Sequence, residues 1–344
     1  MSKWYLCLGR RHLRFLATVA ALACFLSLIA WILITDTSLT KQDEGKEPRR
    51  LLIHNATDRF PDELYQGATF KQKIRSKLLE EFCDKRVKDS NAKNIDFSRF
   101  IVSEKYKLVF CPLPKVSCTV WKNLMADLEG VHIEKDVHSE IRYKLNSLRQ
   151  YSVEERRNIL KTYTKFMFVR EPFERLLSAY RDCFEGWYKR GDAFWQRYRE
   201  RVREYLVKNG GLSINVNADN TTFEEFATYV VLSWRNGEKL QIHWRQMHDS
   251  CHPCQIKFDY VGHYESLSDD AEFILSKANL QDKVQFPQWR PSNTNVLMQK
   301  YYSNLTLLRI AQLQNIYKDD MEMFGYTYPG PLQPVIDKLI NHKL

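Results

Sequence analysis

Glycine is scarce in this chain, 12 among 344 residues, and none falls in residues 112–122, PLPKVSCTVWK. That gap excludes the ordinary phosphate loop, G-x-x-x-x-G-K-[ST], in which bare backbone wraps a triphosphate and a hydroxyl holds magnesium. An evident pair of magnesium-binding acids is missing too, which disfavours a kinase. The stretch Cys251-His-Pro-Cys254, with His243, His248 and His252 nearby, lacks the second ligand pair that a zinc site brings, so no metal is expected. No internal repeat is present. Charge is absent from residues 15–35, a run long enough to span a bilayer, and its end, WILITDTS, lacks a small-x-small cleavage site. A cleaved signal peptide is thereby disfavoured against an uncleaved signal anchor.

Arg10, Arg11 and Arg14 precede the apolar run and Asp36 follows it, which places the N-terminus in the cytosol and the rest in the lumen or outside the cell. The expected organisation is a cytosolic tail (1–14), a transmembrane signal anchor (15–35), a polar stem (36–59) and a lumenal catalytic domain (60–344). Three glycosylation sequons, at Asn55, Asn220 and Asn304, all fall on the lumenal side. So do Cys83, Cys111, Cys118, Cys183, Cys251 and Cys254, for which disulfides are the better expectation in an oxidising compartment, with the pairing left open. Lys and Arg number 52 against 42 Asp and Glu, a net charge of +10. Such a balance favours an anionic partner, whether nucleic acid, anionic lipid, a phosphorylated nucleotide or an acidic polysaccharide, and lumenal topology argues against nucleic acid.

From about residue 60, helical patterns alternate with short strand-like runs, the signature of an α/β domain with a mostly parallel sheet. Two strand-to-helix units stand out. In the first, residues 106–111 form the strand, and Trp121, Leu124, Met125 and Leu128 make the apolar stripe of the next helix. In the second, residues 165–169 are the strand, Pro172 suits the first helical turn, and Phe173, Leu176, Leu177, Tyr180 and Phe184 form the stripe. Thr222 to Glu225 reads as a capping box, and Gly325 closes a C-terminal helical pattern.

Both turns belong where a parallel sheet offers strand ends and helix N-termini to an anion. In the first, Lys115 adds a mobile charge, while the hydroxyls of Ser117 and Thr119 suit helix capping or phosphate binding. A glycine-free turn with prolines at 112 and 114 should cradle a smaller terminal group and let Lys115 replace a metal as electrophile, a pattern that fits sulfuryl transfer. The plain alternative is a solvated turn lysine. In the second, Arg170 at the strand end and Ser178 on a polar face with Glu171, Glu174, Arg175 and Arg181 could meet at one phosphate. The plain alternative is a Glu171–Arg175 i, i+4 pair beside the helix dipole.

Together, PKVSCTVWK and FMFVREPFERLLSAYRDCF resemble the 5′-phosphosulfate loop and 3′-phosphate element of the membrane-bound Golgi carbohydrate sulfotransferases, in particular the chondroitin and dermatan 4-O-sulfotransferase branch. The resemblance runs from about residue 100 to 328 and includes HWRQMHDSCHPCQIKFDYVGHYESL and the ending MFGYTYP. Two positions depart from the family pattern: Val120 stands where asparagine is usual and Ser117 where alanine is usual. The first bears on one polar contact to the donor and not on the lysine.

The resemblance implies a P-loop-like sulfotransferase fold, its sheet flanked by helices, in a single-pass type II protein of the Golgi membrane. It implies transfer of sulfate from 3′-phosphoadenosine 5′-phosphosulfate to a sugar hydroxyl, most readily the 4-hydroxyl of GalNAc in chondroitin or dermatan. Carried over by position, Pro114, Lys115, Val116, Ser117, Cys118, Thr119 and Val120 would hold the 5′-phosphosulfate. Arg170, Glu171, Pro172, Phe173, Glu174, Arg175, Leu176, Leu177 and Ser178 would hold the 3′-phosphate. Lys115 is the expected electrophile and His138, in KDVHSEIRYKL, the expected general base, with Glu171, Glu174 and His263 as alternatives. The basic, aromatic stretch at residues 187–208 reads either as a solvated amphipathic helix or as a surface that grips a polyanionic glycan. Competing acceptors are GalNAc of N-glycans and the 3-hydroxyl of glucuronate, and a competing class is a glycan-binding protein without turnover.

Overall fold

Strand ends position the two turns, so the sheet comes first. The computed structural model describes residues 62–86, 95–185, 193–210, 221–288 and 294–341, all within the unit Arg59–Leu344. The expected membrane span, the stem, Asn55, Asn220 and residues 187–192 of the basic stretch lie outside the described residues. Among the described residues no helix is long and apolar enough to cross a membrane.

In chain order the elements are α1 (Asp62–Arg86), β1 (Ile101–Ser103), β2 (Leu108–Cys111), α2 (Cys118–Leu128), α3 (Val137–Lys144), α4 (Val153–Thr162), β3 (Thr164–Val169) and α5 (Pro172–Tyr180). Then follow α6 (Ala193–Lys208), α7 (Phe223–Arg235), α8 (Met247–Cys251), α9 (Pro253–Ile256), β4 (Tyr260–His263), α10 (Leu267–Lys277), α11 (Thr294–Tyr302), α12 (Leu307–Phe324) and α13 (Gln333–Asn341). The sheet has the order β1-β2-β3-β4. Its β2/β3 and β3/β4 junctions are parallel, as the α-helical crossovers require, with Phe110 opposite Phe166 and Val169 opposite His263. The β1/β2 junction is antiparallel, which makes the sheet mixed. Lys107, at φ 52°, turns the chain tightly into β2, leaving no room for a crossover and starting the strand at Leu108 instead of residue 106.

Both expected helical stripes are buried. Trp121 of α2 lies with its ring centroid 4.8 Å from Phe166 and 5.2 Å from Phe168, locking that helix over β3. Phe168 in turn explains the glycine in β4: a Cβ on Gly262 would stand 2.2 Å from its ring. A second apolar cluster forms among the helices, with Phe173, Tyr180, Phe226, Trp244 and Tyr302 at its centre. The capping box holds as expected, Thr222 accepting from the Glu225 amide while Glu225 accepts from the Thr222 amide, and Gly325 ends α12 at φ 74°.

Four of the six cysteines pair, Cys83 with Cys254 and Cys111 with Cys251. Cys118 and Cys183 are buried and lie outside both bridges. The CHPC stretch therefore spends both thiols on disulfides, one to α1 and one to the end of β2. Among the described residues no group of three or more His, Cys, Asp and Glu could hold a metal ion. Asn304 is exposed in the turn between α11 and α12, and Thr306 of its sequon caps α12.

Candidate functional site

At the C-terminal ends of β2 and β3 lies a cavity of about 1190 Å³. Its wall joins the first turn (Pro112, Pro114, Lys115, Ser117) and the start of α2 (Cys118, Thr119, Lys122) to Asp136 and His138 around the start of α3. The second turn adds Arg170, Ser178 and Asp182, and Trp195, His243 and Tyr264 also line the cavity. The two elements singled out from the sequence thus open onto one space.

The first turn is built without glycine by placing two ordinary residues in the left-handed region, Lys115 at φ 72° and Ser117 at φ 69°. Each such residue costs about 1–2 kcal/mol. Between them Val116, with Leu113 before it, is fully buried and pins the loop to the sheet core. The alternation turns Lys115 and Ser117 toward the cavity. The Lys115 ammonium lies 2.9 Å from Asp182, a partner that the sequence reading missed although Asp182 follows Ser178 at helical spacing. Ser117 is the N-cap residue of α2, yet its hydroxyl makes no capping bond, because the left-handed backbone aims it away from the first amides. Thr119 meets His138 Nε2 at 3.0 Å. Val120 is partly buried against the core, so valine in place of asparagine costs the cavity wall nothing.

The second turn departs from expectation in its arginines. Arg175 is not on a polar face: its side chain is buried and donates from Nε to Pro114 O at 3.1 Å, and from its two terminal nitrogens to Arg245 O at 2.7 Å and Ile242 O at 3.0 Å. The i, i+4 pair at the start of α5 joins Arg170, just before the helix, to Glu174 at 3.0 Å, and is not Glu171–Arg175. Arg170 is 1% exposed, packs over the Tyr264 ring at 4.1 Å and approaches Lys115 O at 3.4 Å. Glu171 caps α5 by accepting from the Glu174 amide, and burial pushes its carboxyl up to about 8. Of the run 170–178, Arg170 and Ser178 reach the cavity, while Pro172, Phe173, Leu176 and Leu177 are buried in the apolar interior.

The histidines separate cleanly. His138 lines the cavity, with Nδ1 2.9 Å from Lys122 Nζ. Burial first, and the Lys122 charge second, hold its pKa below the usual range. His263 is not in the cavity wall: it stacks on Tyr326, and burial followed by the Arg75 charge pushes it down to about 3. Glu171 and Glu174 are likewise absent from the wall, which leaves none of the three alternative bases in it. His243, noted in the sequence only for its place near the CHPC stretch, does line the cavity. Burial and then the Lys115 ammonium hold it down to about 3. No periodic signal marks it, because it belongs to an irregular segment before α8.

Beside the cavity, α6 is amphipathic, burying Trp195, Val202 and Leu206 and exposing Arg197, Arg201 and Lys208. Phe194 and Trp195 carry this helix to the cavity rim.

The Sulfotransferase family model matches residues 98–327. Carbohydrate sulfotransferase 11 of Mus musculus is 35% identical over 247 residues, covering 69% of this chain and 70% of that protein. Carbohydrate sulfotransferase 11 of Danio rerio is 32% identical over 289 residues, 78% of this chain and 80% of that protein. Carbohydrate sulfotransferase 10 of Xenopus laevis is 31% identical over 300 residues, 79% and 80% respectively. No solved structure matches the chain. Paired anion turns on one cavity and a family match spanning both of them give the same answer: the chain belongs to the Sulfotransferase family.

Proposed function

We propose that this chain transfers a sulfuryl group from 3′-phosphoadenosine 5′-phosphosulfate to the 4-hydroxyl of GalNAc in a chondroitin- or dermatan-type glycan, as a type II protein of the Golgi membrane. The observation that carries the reading is that Lys115 and Ser117 of one turn, and Arg170 and Ser178 of the other, line a single cavity. Such spacing suits a donor that is anionic at two ends. Lys115 and its loop through Val120 take the 5′-phosphosulfate, and Arg170 with Ser178 takes the 3′-phosphate. As the S–O bond breaks, charge grows on the bridging oxygen, and the Lys115 ammonium, exchanging Asp182 for that oxygen, lowers the barrier. The residues fit this donor: one mobile ammonium, a buried guanidinium and two hydroxyls supply the cationic and donor groups without a metal.

The acceptor is proposed from the resemblance to the 4-O-sulfotransferase branch, from the chain's net charge of +10 and from the exposed arginines of α6 beside two rim aromatics. Incubating the full chain in detergent with radiolabelled donor and a panel of acceptors tests it. The panel holds desulfated chondroitin and dermatan, GalNAc-terminated N-glycans and glucuronate-terminated glycans, each analysed by disaccharide or linkage mapping. Label on the GalNAc 4-hydroxyl of chondroitin is the expected outcome. Label only on N-glycan GalNAc or on glucuronate replaces the acceptor, and glycan binding with no label on any acceptor replaces the enzyme with a binding protein.

A further inference from the structure

Sulfuryl transfer needs a base at the attacking hydroxyl, and the hydrogen bonds of the cavity histidines decide between them. His138 has both ring nitrogens engaged. A lysine ammonium only donates, so Nδ1, 2.9 Å from Lys122 Nζ, is the acceptor. Nε2 must then carry the hydrogen and donate to Thr119 Oγ1 at 3.0 Å. The ring has one lone pair, and Lys122 occupies it.

His243 shows the opposite arrangement. Its backbone amide donates to Gln241 Oε1 at 2.6 Å, and its Nδ1 lies 2.9 Å from the same oxygen. A backbone N–H is always a donor, so the Gln241 atom facing it is the oxygen and the amide orientation is fixed. Nδ1 therefore carries the hydrogen, and the lone pair is on Nε2. The Trp195 ring, 5.1 Å away at 83°, holds the imidazole plane against the cavity wall.

We propose that His243 is the general base of the reaction, accepting the acceptor-hydroxyl proton at Nε2, with Gln241 as the residue that sets its tautomer. The assignment rests on the sulfotransfer reading above. As the hydroxyl oxygen forms its bond to sulfur, its proton passes to Nε2. The bond from sulfur to the 5′-phosphate oxygen breaks, and its electron pair leaves on that oxygen beside Lys115. The proton later returns to water, and no further reactant is needed.

The charges around the ring give the step an order. Burial and then the Lys115 charge, with Arg175 adding to them, disfavour a proton on His243, and Asp182 favours one. In the free chain the ring is neutral. A bound phosphosulfate offsets Lys115, the largest of the opposing charges, and so strengthens the base only when the sulfuryl group is in place.

The test uses the full chain with labelled donor and the acceptor it modifies. H243N keeps a side-chain N–H for Gln241 and removes Nε2. It should lower kcat by about 10²–10⁴-fold and leave the affinity for the spent 3′,5′-bisphosphate, measured by calorimetry, within about twofold. Wild-type kcat should fall on the acidic side as the base protonates, and that limb should vanish in H243N and persist in H138N. Q241L, which no longer fixes the tautomer, should lower kcat by a smaller factor with KM for donor unchanged. An H243N chain with wild-type kcat, or an acidic limb that vanishes in H138N instead, overturns the assignment while leaving sulfotransfer intact. A wild-type chain that labels no acceptor overturns both.

Discussion

The two anion turns are built on opposite principles. The first exposes its chemistry: Lys115 and Ser117 face the cavity from left-handed backbone, and the lysine's visible ion partner is the half-exposed Asp182. The second hides it: Arg170 and Arg175 are almost wholly buried, and Arg175 spends its donors on three main-chain carbonyls, one of them Pro114 O of the first turn. The second turn is therefore the mould and the first is the cast. A strained loop keeps its shape only where its surroundings over-determine it, and here Arg175, Arg170 and the Cys111–Cys251 bridge do so from three sides.

That division makes substitutions in the two turns fail differently. Lys115→Ala should lower kcat by about 10²–10³-fold, the usual loss for one transition-state donor. Its melting temperature should hardly move, since a partly exposed ion pair contributes about 1 kcal/mol or less. Thermal unfolding beside initial rates separates the two; a large drop in melting temperature would make Lys115 a structural residue. Arg175→Leu should do the reverse at first remove. It orphans three carbonyls and should cost on the order of 3 kcal/mol of stability, read by urea unfolding, with donor affinity lost because the first turn relaxes.

The contrast also marks what the sequence could disclose. Apolar spacing displayed Trp121 to Leu128 and Phe173 to Phe184 as buried stripes, and with them both strand-to-helix units, because helical period and burial are local properties. The stripe also carried Ser178 and, one turn on, Asp182. Local spacing equally made Arg175 look like a solvent-facing partner of Glu171, whereas its acceptors lie 61 to 70 residues away. No local pattern encodes such contacts. The tautomer of His243 hangs on a neighbour two residues back in an irregular segment, where neither helical nor strand period applies. The antiparallel β1 was hidden because three residues are too few to alternate.

A third support can be weakened without touching either turn. Asp320, fully buried in α12, accepts the amides of Met247 and His248 and holds His248 Nδ1 at 2.7 Å, fixing the start of α8, whose Cys251 bridges to Cys111. Burial works against charge on His248, but the Asp320 carboxylate, with Asp249 and Asp319 adding to it, outweighs burial and raises the pKa to about 9. A folded-state pKa above the unfolded value of about 6.5 means stability present in full below 6.5 and lost as pH rises through about 9. Asp320→Asn should cost about 2 kcal/mol near neutrality and flatten that alkaline loss. Melting curves from pH 6 to 10 would show an unchanged slope if the pair were unimportant.

The smallest effect tests the strain itself. Ser117 occupies the left-handed region at φ 69° and contributes no capping bond. Ser117→Gly relieves the backbone and Ser117→Ala does not, while both remove the hydroxyl. Glycine's extra unfolded-state entropy offsets part of the relief, so Ser117→Gly should be more stable than Ser117→Ala by only about 0.5–1 kcal/mol. The two variants should have equal donor affinity if the surrounding arginines alone shape the turn. If the glycine variant binds donor more weakly than the alanine variant, the loop's own stiffness shares in holding the cast, and the division of labour between the turns is less complete than their burial suggests.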